Sequence, residues 1–175
     1  LEKWQETVAM IIANRTAGDS AALTALGDAL AANGWLDAAH VCYLLSPATS
    51  LIGGAGTPAA RICLLGSATP TTTSTDGIDL ESVKLTELVE FAFSLAPTVK
   101  GQEPFLGFPH LQALRLYHAT KLADAGHVSQ ASKYCEAIVN TLKATTKPSP
   151  YYTPVLVAQV KALSDRLTAA PGHDK

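Results

Sequence analysis

Apolar positions along the chain recur at intervals of three and four, the spacing that collects side chains on one face of a helix, and they do so in about seven separate segments. In the first, Trp4, Val8, Ile11 and Ile12 share a face, and the pattern stops in the turn-like residues 14–18. Asp19 or Ser20 is placed to cap the second. There Leu23, Leu26 and Leu30 form one stripe, while Ala22, Ala25, Ala29 and Ala32 form a neighbouring stripe of small residues that would permit close helix contact. Gly34 supplies the left-handed residue that ends this helix. A third helix, Leu36–Leu45, is apolar on most sides apart from Asp37 and His40 and is expected to be buried.

After Pro47 the periodicity fades. Residues 53–58 are Gly-rich, 61–65 are a brief apolar run and 70–77 are rich in Thr and Ser, so 47–78 reads as a mobile loop. Helical spacing returns with Leu85, Leu88, Ala92 and Leu95, preceded by Asp79 and Glu81, whose charges suit a helix N-terminus, and ended by Pro97. Pro109 stands where the first residue of the next helix should stand, and Gly126 stops that helix after Ala125. The sixth has the cleanest pattern. Ala131, Tyr134, Cys135, Ile138 and Leu142 face one way, and Lys133, Glu136, Asn140 and Lys143 face the other. Beyond the stiff link 147–150, Thr153 caps a helix with Pro154 in its first turn and an apolar stripe of Leu156, Val160, Leu163 and Leu167; Pro171 and Gly172 end it.

Two of these segments match each other. Leu30-Ala31-x-x-Gly34-x-x-x-x-Ala39 returns, displaced by 92 residues, as Leu122-Ala123-x-x-Gly126-x-x-x-x-Ala131. Each is a helix ended by glycine, a tight turn, and an alanine on the returning helix, the unit from which helical solenoids are stacked. The expected fold is therefore all-α: an irregular α-solenoid of about seven helices in antiparallel pairs. It would form one domain over 1–172, a fragment of a larger one, with a short tail at 173–175.

Composition narrows the function. The chain of 175 residues is 47% apolar and 16% charged, with a net charge of −2, which excludes a basic nucleic-acid groove and argues against disorder. Three widely spaced cysteines, Cys42, Cys63 and Cys135, do not make a disulfide framework, and a reducing compartment is expected. Asn14-Arg15-Thr16 fits a glycosylation sequon by chance. No apolar run approaches the ~18 residues of a membrane span. Leu1 stands where an initiator Met would, so a piece of a longer protein is expected.

No catalytic constellation emerges. His40 and Cys42, two apart on a helix, point to different faces and do not make a metal site. His110, His118 and His127 read as surface or turn residues, and residues 53–56 lack the strand and the Gly-Lys-Ser/Thr of a phosphate loop. Glu87 and Glu90, beside Lys84, read as a solvated stripe. Asp28 and Asp124 lie close before helix-ending glycines, where the helix dipole disfavours an acid; a His, Tyr or backbone amide on an adjacent helix should compensate, and His40 is available to Asp28. No cofactor, metal or enzymatic activity is expected.

Two stretches together resemble a known family: Leu26-Gly27-Asp28-x-Leu30-x-x-x-Gly34-x-x-x-Ala38-Ala39-His40-x-Cys42-Tyr43-Leu44, and Leu116-Tyr117-x-Ala119-x-x-Leu122-Ala123-Asp124-x-Gly126-x-x-x-x-Ala131-x-x-Tyr134-Cys135-Glu136-Ala137. They are similar to the central conserved domain of the Sec-sixteen scaffolds that organise COPII coat assembly at endoplasmic reticulum exit sites. Trp4-x-Glu6-Thr7-x-Ala9-Met10, Asn14-Arg15-Thr16, Leu64-Leu65-Gly66-Ser67 and Thr86-Glu87 extend the likeness from about Trp4 to Leu167. The resemblance implies the ancestral coatomer helical fold and a peripheral place on the cytosolic face of the endoplasmic reticulum. It further implies a WD-repeat propeller coat subunit and other COPII components as partners, homo-oligomerisation, and neither nucleic-acid binding nor membrane insertion. In that family a β-blade completes the propeller; no strand-rich blade is visible in this chain. Helical hairpins alone would equally support a tetratricopeptide-like peptide-binding adaptor.

Overall fold

The computed structural model describes residues 1–46, 51–54, 56–68, 78–96 and 105–169. Among these the chain is all-helical: α1 (Trp4–Ala13), α2 (Asp19–Ala32), α3 (Leu36–Leu45), α4 (Leu80–Ser94), α5 (Leu111–Asp124), α6 (Val128–Ala144) and α7 (Pro154–Thr168). The one β-type pairing is an isolated parallel bridge between Ile52 and Ile62. The chain divides into two compact units, Leu1–Thr73 and Ser74–Lys175.

In the first unit α2 and α3 form a hairpin and α1 packs on α2. Gly34, at φ +81°, closes α2: its N–H donates to the Ala31 carbonyl and the Trp35 N–H to the Leu30 carbonyl, the paired bonds of a left-handed helix stop. Leu30 and Ala39 are fully buried behind this turn. The predicted alanine stripe is not a helix contact. Ala22, Ala25, Ala29 and Ala32 are exposed, and the close approach is made instead by Gly27, where a Cβ would lie 2.5 Å from Tyr43 Cε1. Asp19 is the first residue of α2 rather than its cap, and its carboxylate turns back to accept from the N–H and hydroxyl of Thr16, both at 2.8 Å.

Within the stretch read as a mobile loop, Leu51, Ile62, Leu64 and Leu65 are buried, with Gly53 N–H donating to Ile62 and Ile62 N–H to Leu51. Ala55 and the Thr- and Ser-rich 70–77, like Pro97, Pro171 and Gly172, lie outside the described residues.

The second unit stacks α4 on α5, α5 on α6 and α6 on α7. Gly126, at φ +82°, repeats the earlier stop, with its N–H on Ala123 and His127 N–H on Leu122, so the matched motifs fold into matched turns. The 92-residue displacement also pairs Gly27 and Tyr43 with Ala119 and Cys135, both buried in one core. Where the returning helix carries the larger ring, its partner has no side chain. The α7 stripe of Leu156, Val160, Leu163 and Leu167 closes this core, each burial worth roughly 1.5–3 kcal/mol. Thr153 caps α7, accepting from Leu156 N–H at 3.1 Å. Pro109 does not begin α5; residues 109–110 form a preceding turn in which Phe108 and Pro109 carbonyls accept from Leu111 and Gln112.

Helix α4 reverses the sequence expectation. Asp79, expected at the N-terminus for its charge, also caps the helix by accepting from Glu81 and Ser82 N–H, yet the face carrying Leu85, Leu88, Ala92 and Leu95 is exposed. The buried face consists of Ser82, Val83, Thr86 and Glu90. The physical reason is an arginine on α5.

Candidate interaction surface

Arg115, in the second turn of α5, reaches two carboxylates on α4. Its Nε donates to Glu87 Oε1 at 2.9 Å and its Nη2 to Glu90 Oε2. Tyr134, on α6, donates its hydroxyl to Glu87 Oε2 at 2.9 Å, and Phe108 N–H donates to Glu90 Oε1 at 2.5 Å. Glu87 and Glu90 are therefore a buried clamp and not the solvated stripe their spacing suggested. Gly107, at φ +94°, makes room for it, because a Cβ there would sit 2.5 Å from Glu90 Oε1. Burial pulls the Arg115 guanidinium toward neutrality, but Glu90 and Glu87 outweigh it and hold its pKa above the ordinary value. Burial, then the Glu87 charge and hydrogen bond, push Tyr134 up to about 12. His118, its ring tilted against that of Tyr134 with centroids 4.8 Å apart, is held below the usual imidazole range by burial, with Glu87 opposing.

The first unit carries a smaller polar cluster. Asp28 does not meet His40. Its Oδ1 accepts from the Tyr43 hydroxyl and from Arg61 Nε, both at 2.8 Å. The Arg61 hydrogen bond holds the Asp28 carboxyl below the usual carboxylate range, against partial burial and with help from Tyr43. Burial and Asp28 push the Tyr43 phenol well up. His40 accepts from Gly66 N–H through Nδ1 at 3.1 Å, which leaves the neutral ring's proton on Nε2, and burial keeps its pKa low. These groups border a cavity of about 320 Å³.

Leu26 and Leu122 are half-buried, Ala39 and Ala131 fully buried, and Asp124 is exposed at the end of α5 with no described partner. No group of three or more His, Cys, Asp or Glu that could hold a metal is found among the described residues. Cys42, Cys63 and Cys135 form no disulfide among the described residues, and burial raises each thiol, which suppresses the nucleophilic thiolate. Sequence reasoning missed Arg61, Arg115 and Tyr134 as partners. The available signal was a charge set in an apolar run, Leu114-Arg115-Leu116 and Val89-Glu90-Phe91.

An open groove of about 580 Å³ lies between α5 and α7. Leu116 and Leu163 floor it, Ala113 and Ala162 form low walls, and Tyr117 and Arg166 stand at its rim.

A family profile described as the Sec16 Sec23-binding domain matches residues 1–175. Curated relatives named COPII coat assembly protein SEC16 include one from Phaeosphaeria nodorum, 40% identical over 98% of this chain and 9% of its own length. Those of Emericella nidulans and Coccidioides immitis are 41% and 42% identical, each over 98% of this chain and over 9% and 10% of their own lengths. The chain thus spans about a tenth of the curated relatives it matches. No solved structure matches it. This is a family of coat-assembly scaffolds rather than of enzymes. Matched from end to end by the profile, with its paired left-handed helix stops in place, the chain belongs to the Sec16 Sec23-binding domain family.

Proposed function

We propose that this chain is a protein-binding module of a COPII coat-assembly scaffold, that it engages a Sec23-type coat subunit, and that it acts at exit sites on the cytosolic face of the endoplasmic reticulum. The observation that carries this reading is the profile match over residues 1–175, whose family is described by Sec23 binding. It is supported by the commitment of Arg115 to the enclosed Glu87 and Glu90, which leaves Leu85, Leu88, Phe91 and Leu95 of α4 facing outward. No helix among the described residues is long and apolar enough to cross a membrane, in keeping with peripheral attachment through partners. The WD-repeat propeller subunit and a second copy of the chain are further partners in this reading, and the helical block is taken as part of a larger solenoid. A tetratricopeptide-type adaptor is not favoured, since the relatives are named for coat assembly.

The test is direct: the purified chain, immobilised, is presented with a purified Sec23-type subunit at physiological salt. Saturable retention, competed by free chain, is expected. A folded chain that retains no subunit refutes the reading.

A further inference from the structure

We propose that the cavity bordered by α2, α3 and residues 60–61 binds the side-chain carboxamide of a glutamine or asparagine on a partner protein. This goes beyond the Sec23 reading and does not depend on it. The cavity of about 320 Å³ is at the small end of ligand pockets, a size that suits one side chain. Ala31, Leu36 and Ala60 wall it, and Asp28, His40, Tyr43 and Arg61 supply its polar groups. His40 is the group the fold leaves unfinished. Its side chain is almost wholly enclosed, at 4% exposure, and Nδ1 is occupied by Gly66 N–H, so the ring proton sits on Nε2. No acceptor among the described residues takes that proton. Nor is Nε2 sealed: the unpartnered side-chain atoms shut away from solvent among the described residues are Gln112 Oε1 and His118 Nδ1. His40 therefore presents Nε2–H to the cavity it lines.

What this donor selects follows from its neighbours. Asp28 and Arg61 cancel each other's charge, yet Asp28 keeps acceptor capacity: Oδ1 takes Tyr43 and Arg61 Nε, both at 2.8 Å, whereas Oδ2 takes only Arg61 Nη2, at 3.4 Å. The Asp28 side chain is 43% exposed, so Oδ2 is open to an incoming donor. The cavity thus offers a donor on α3 and an acceptor on α2, and the two do not meet. A carboxylate brings acceptors only and would confront Asp28 and also Asp37, whose charge is felt at His40. A Lys ammonium brings donors only and leaves Nε2–H unmet. A hydroxyl carries both functions on one atom. A primary amide carries an acceptor oxygen and an NH₂ on one planar edge, so its oxygen takes His40 Nε2–H while its nitrogen donates to Asp28 Oδ2, and its stem packs on Ala31, Leu36 and Ala60. A main-chain amide is trans and turns its N–H and C=O to opposite sides, which makes a side chain the source.

The test titrates the isotope-labelled chain, by NMR, with the N-acetyl N-methylamide derivatives of Gln, Asn, Glu, Lys, Thr and Met, which share one main chain and differ only in the side chain. At the millimolar concentrations suited to so small a ligand, the better of the Gln and Asn probes should bind about tenfold more tightly than each of the other four, the effect of two hydrogen bonds. It should also shift the His40 Nε2 resonance, which the Met probe, close to Gln in shape, should leave in place. His40→Asn keeps an acceptor for Gly66 N–H and removes the Nε2 donor, so the preference for the amide should vanish. Ala31→Trp, at an exposed position of α2, should block the cavity and abolish amide binding with the circular dichroism unchanged, and it tests the site even where His40→Asn fails to fold. Equal binding of all six probes would put recognition on the main chain, and tightest binding of Glu would make Arg61 an anion site. Amide binding that survives Ala31→Trp would place it elsewhere. Each of these results overturns the proposal, as does binding by none.

Discussion

Arg115→Met tests whether the α4–α5 contact is organised by charge. Methionine keeps the unbranched stem and most of the volume, so the loss is electrostatic. Two charge-assisted hydrogen bonds disappear, each worth ~1.5–3 kcal/mol. The carboxylates left behind are enclosed, with side chains 15% and 9% exposed for Glu87 and Glu90. Removing one partner of such a pair costs ~3–5 kcal/mol, because the survivors are stranded away from water. That corresponds to a fall in Tm of about 6–20 °C. Urea unfolding followed by far-UV circular dichroism reads it, with tryptophan emission as an internal control: Trp4 and Trp35 both lie in Leu1–Thr73, while Arg115 lies in the second unit. Adding Glu87→Gln and Glu90→Gln should restore most of the loss, since Gln at 90 still accepts from Phe108 N–H. A cost under about 1 kcal/mol for Arg115→Met, below the range for a stranded buried charge, would show that the clamp does not hold α4.

The exposed stripe of α4 gives an opposing control. Leu88 and Leu95, 62% and 67% exposed, should tolerate Gln within about 0.5 kcal/mol by denaturant midpoint, whereas a core leucine would cost ~2–5 kcal/mol. Gly107→Ala should cost about 2–5 kcal/mol, from left-handed strain plus collision with Glu90, and only the strain of ~1–2 kcal/mol should remain in a Glu90→Ala background; equal costs in both would place the collision elsewhere. Tyr134, held at about 12, should make the fold lose stability between pH 10 and 12. The unfolded chain releases its phenolic proton first in that window, so stability is full below pH 10 and declines as pH rises toward the folded value. Tyr134→Phe should flatten this limb, and an unchanged slope would contradict it.

Helix positions were legible because their signals are local. The Leu, Gly and Ala of the two matched stops lie within ten residues of one another, and each stop closes on its own backbone. The orientation of α4 was not legible. Both its faces carry apolar residues, and the choice between them is made by Arg115, 25 residues beyond Glu90, and by Tyr134 further on. Periodicity weighs side chains by hydropathy alone, so it assigned Glu90 to water and Leu88 to the core. A tyrosine on an adjacent helix was expected for Asp28 and Tyr43 supplies it, but Arg61 was missed for the same reason, lying 33 residues away in a segment with no helical pattern.

The matched left-handed stops also bear on how the protein is made. Each joins two helices through a few residues, so the α2–α3 and α5–α6 contacts close small loops and need no distant part of the chain. Contacts of such low sequence separation form quickly. During synthesis, at roughly 5–20 residues per second, the first hairpin is complete well before α5 has been translated, and its leucines are covered while the rest is still emerging. Valine at Gly126 would therefore leave the earlier hairpin to form on schedule and stall the later one, so the nascent chain, rather than the finished fold, would be the species that chaperones hold.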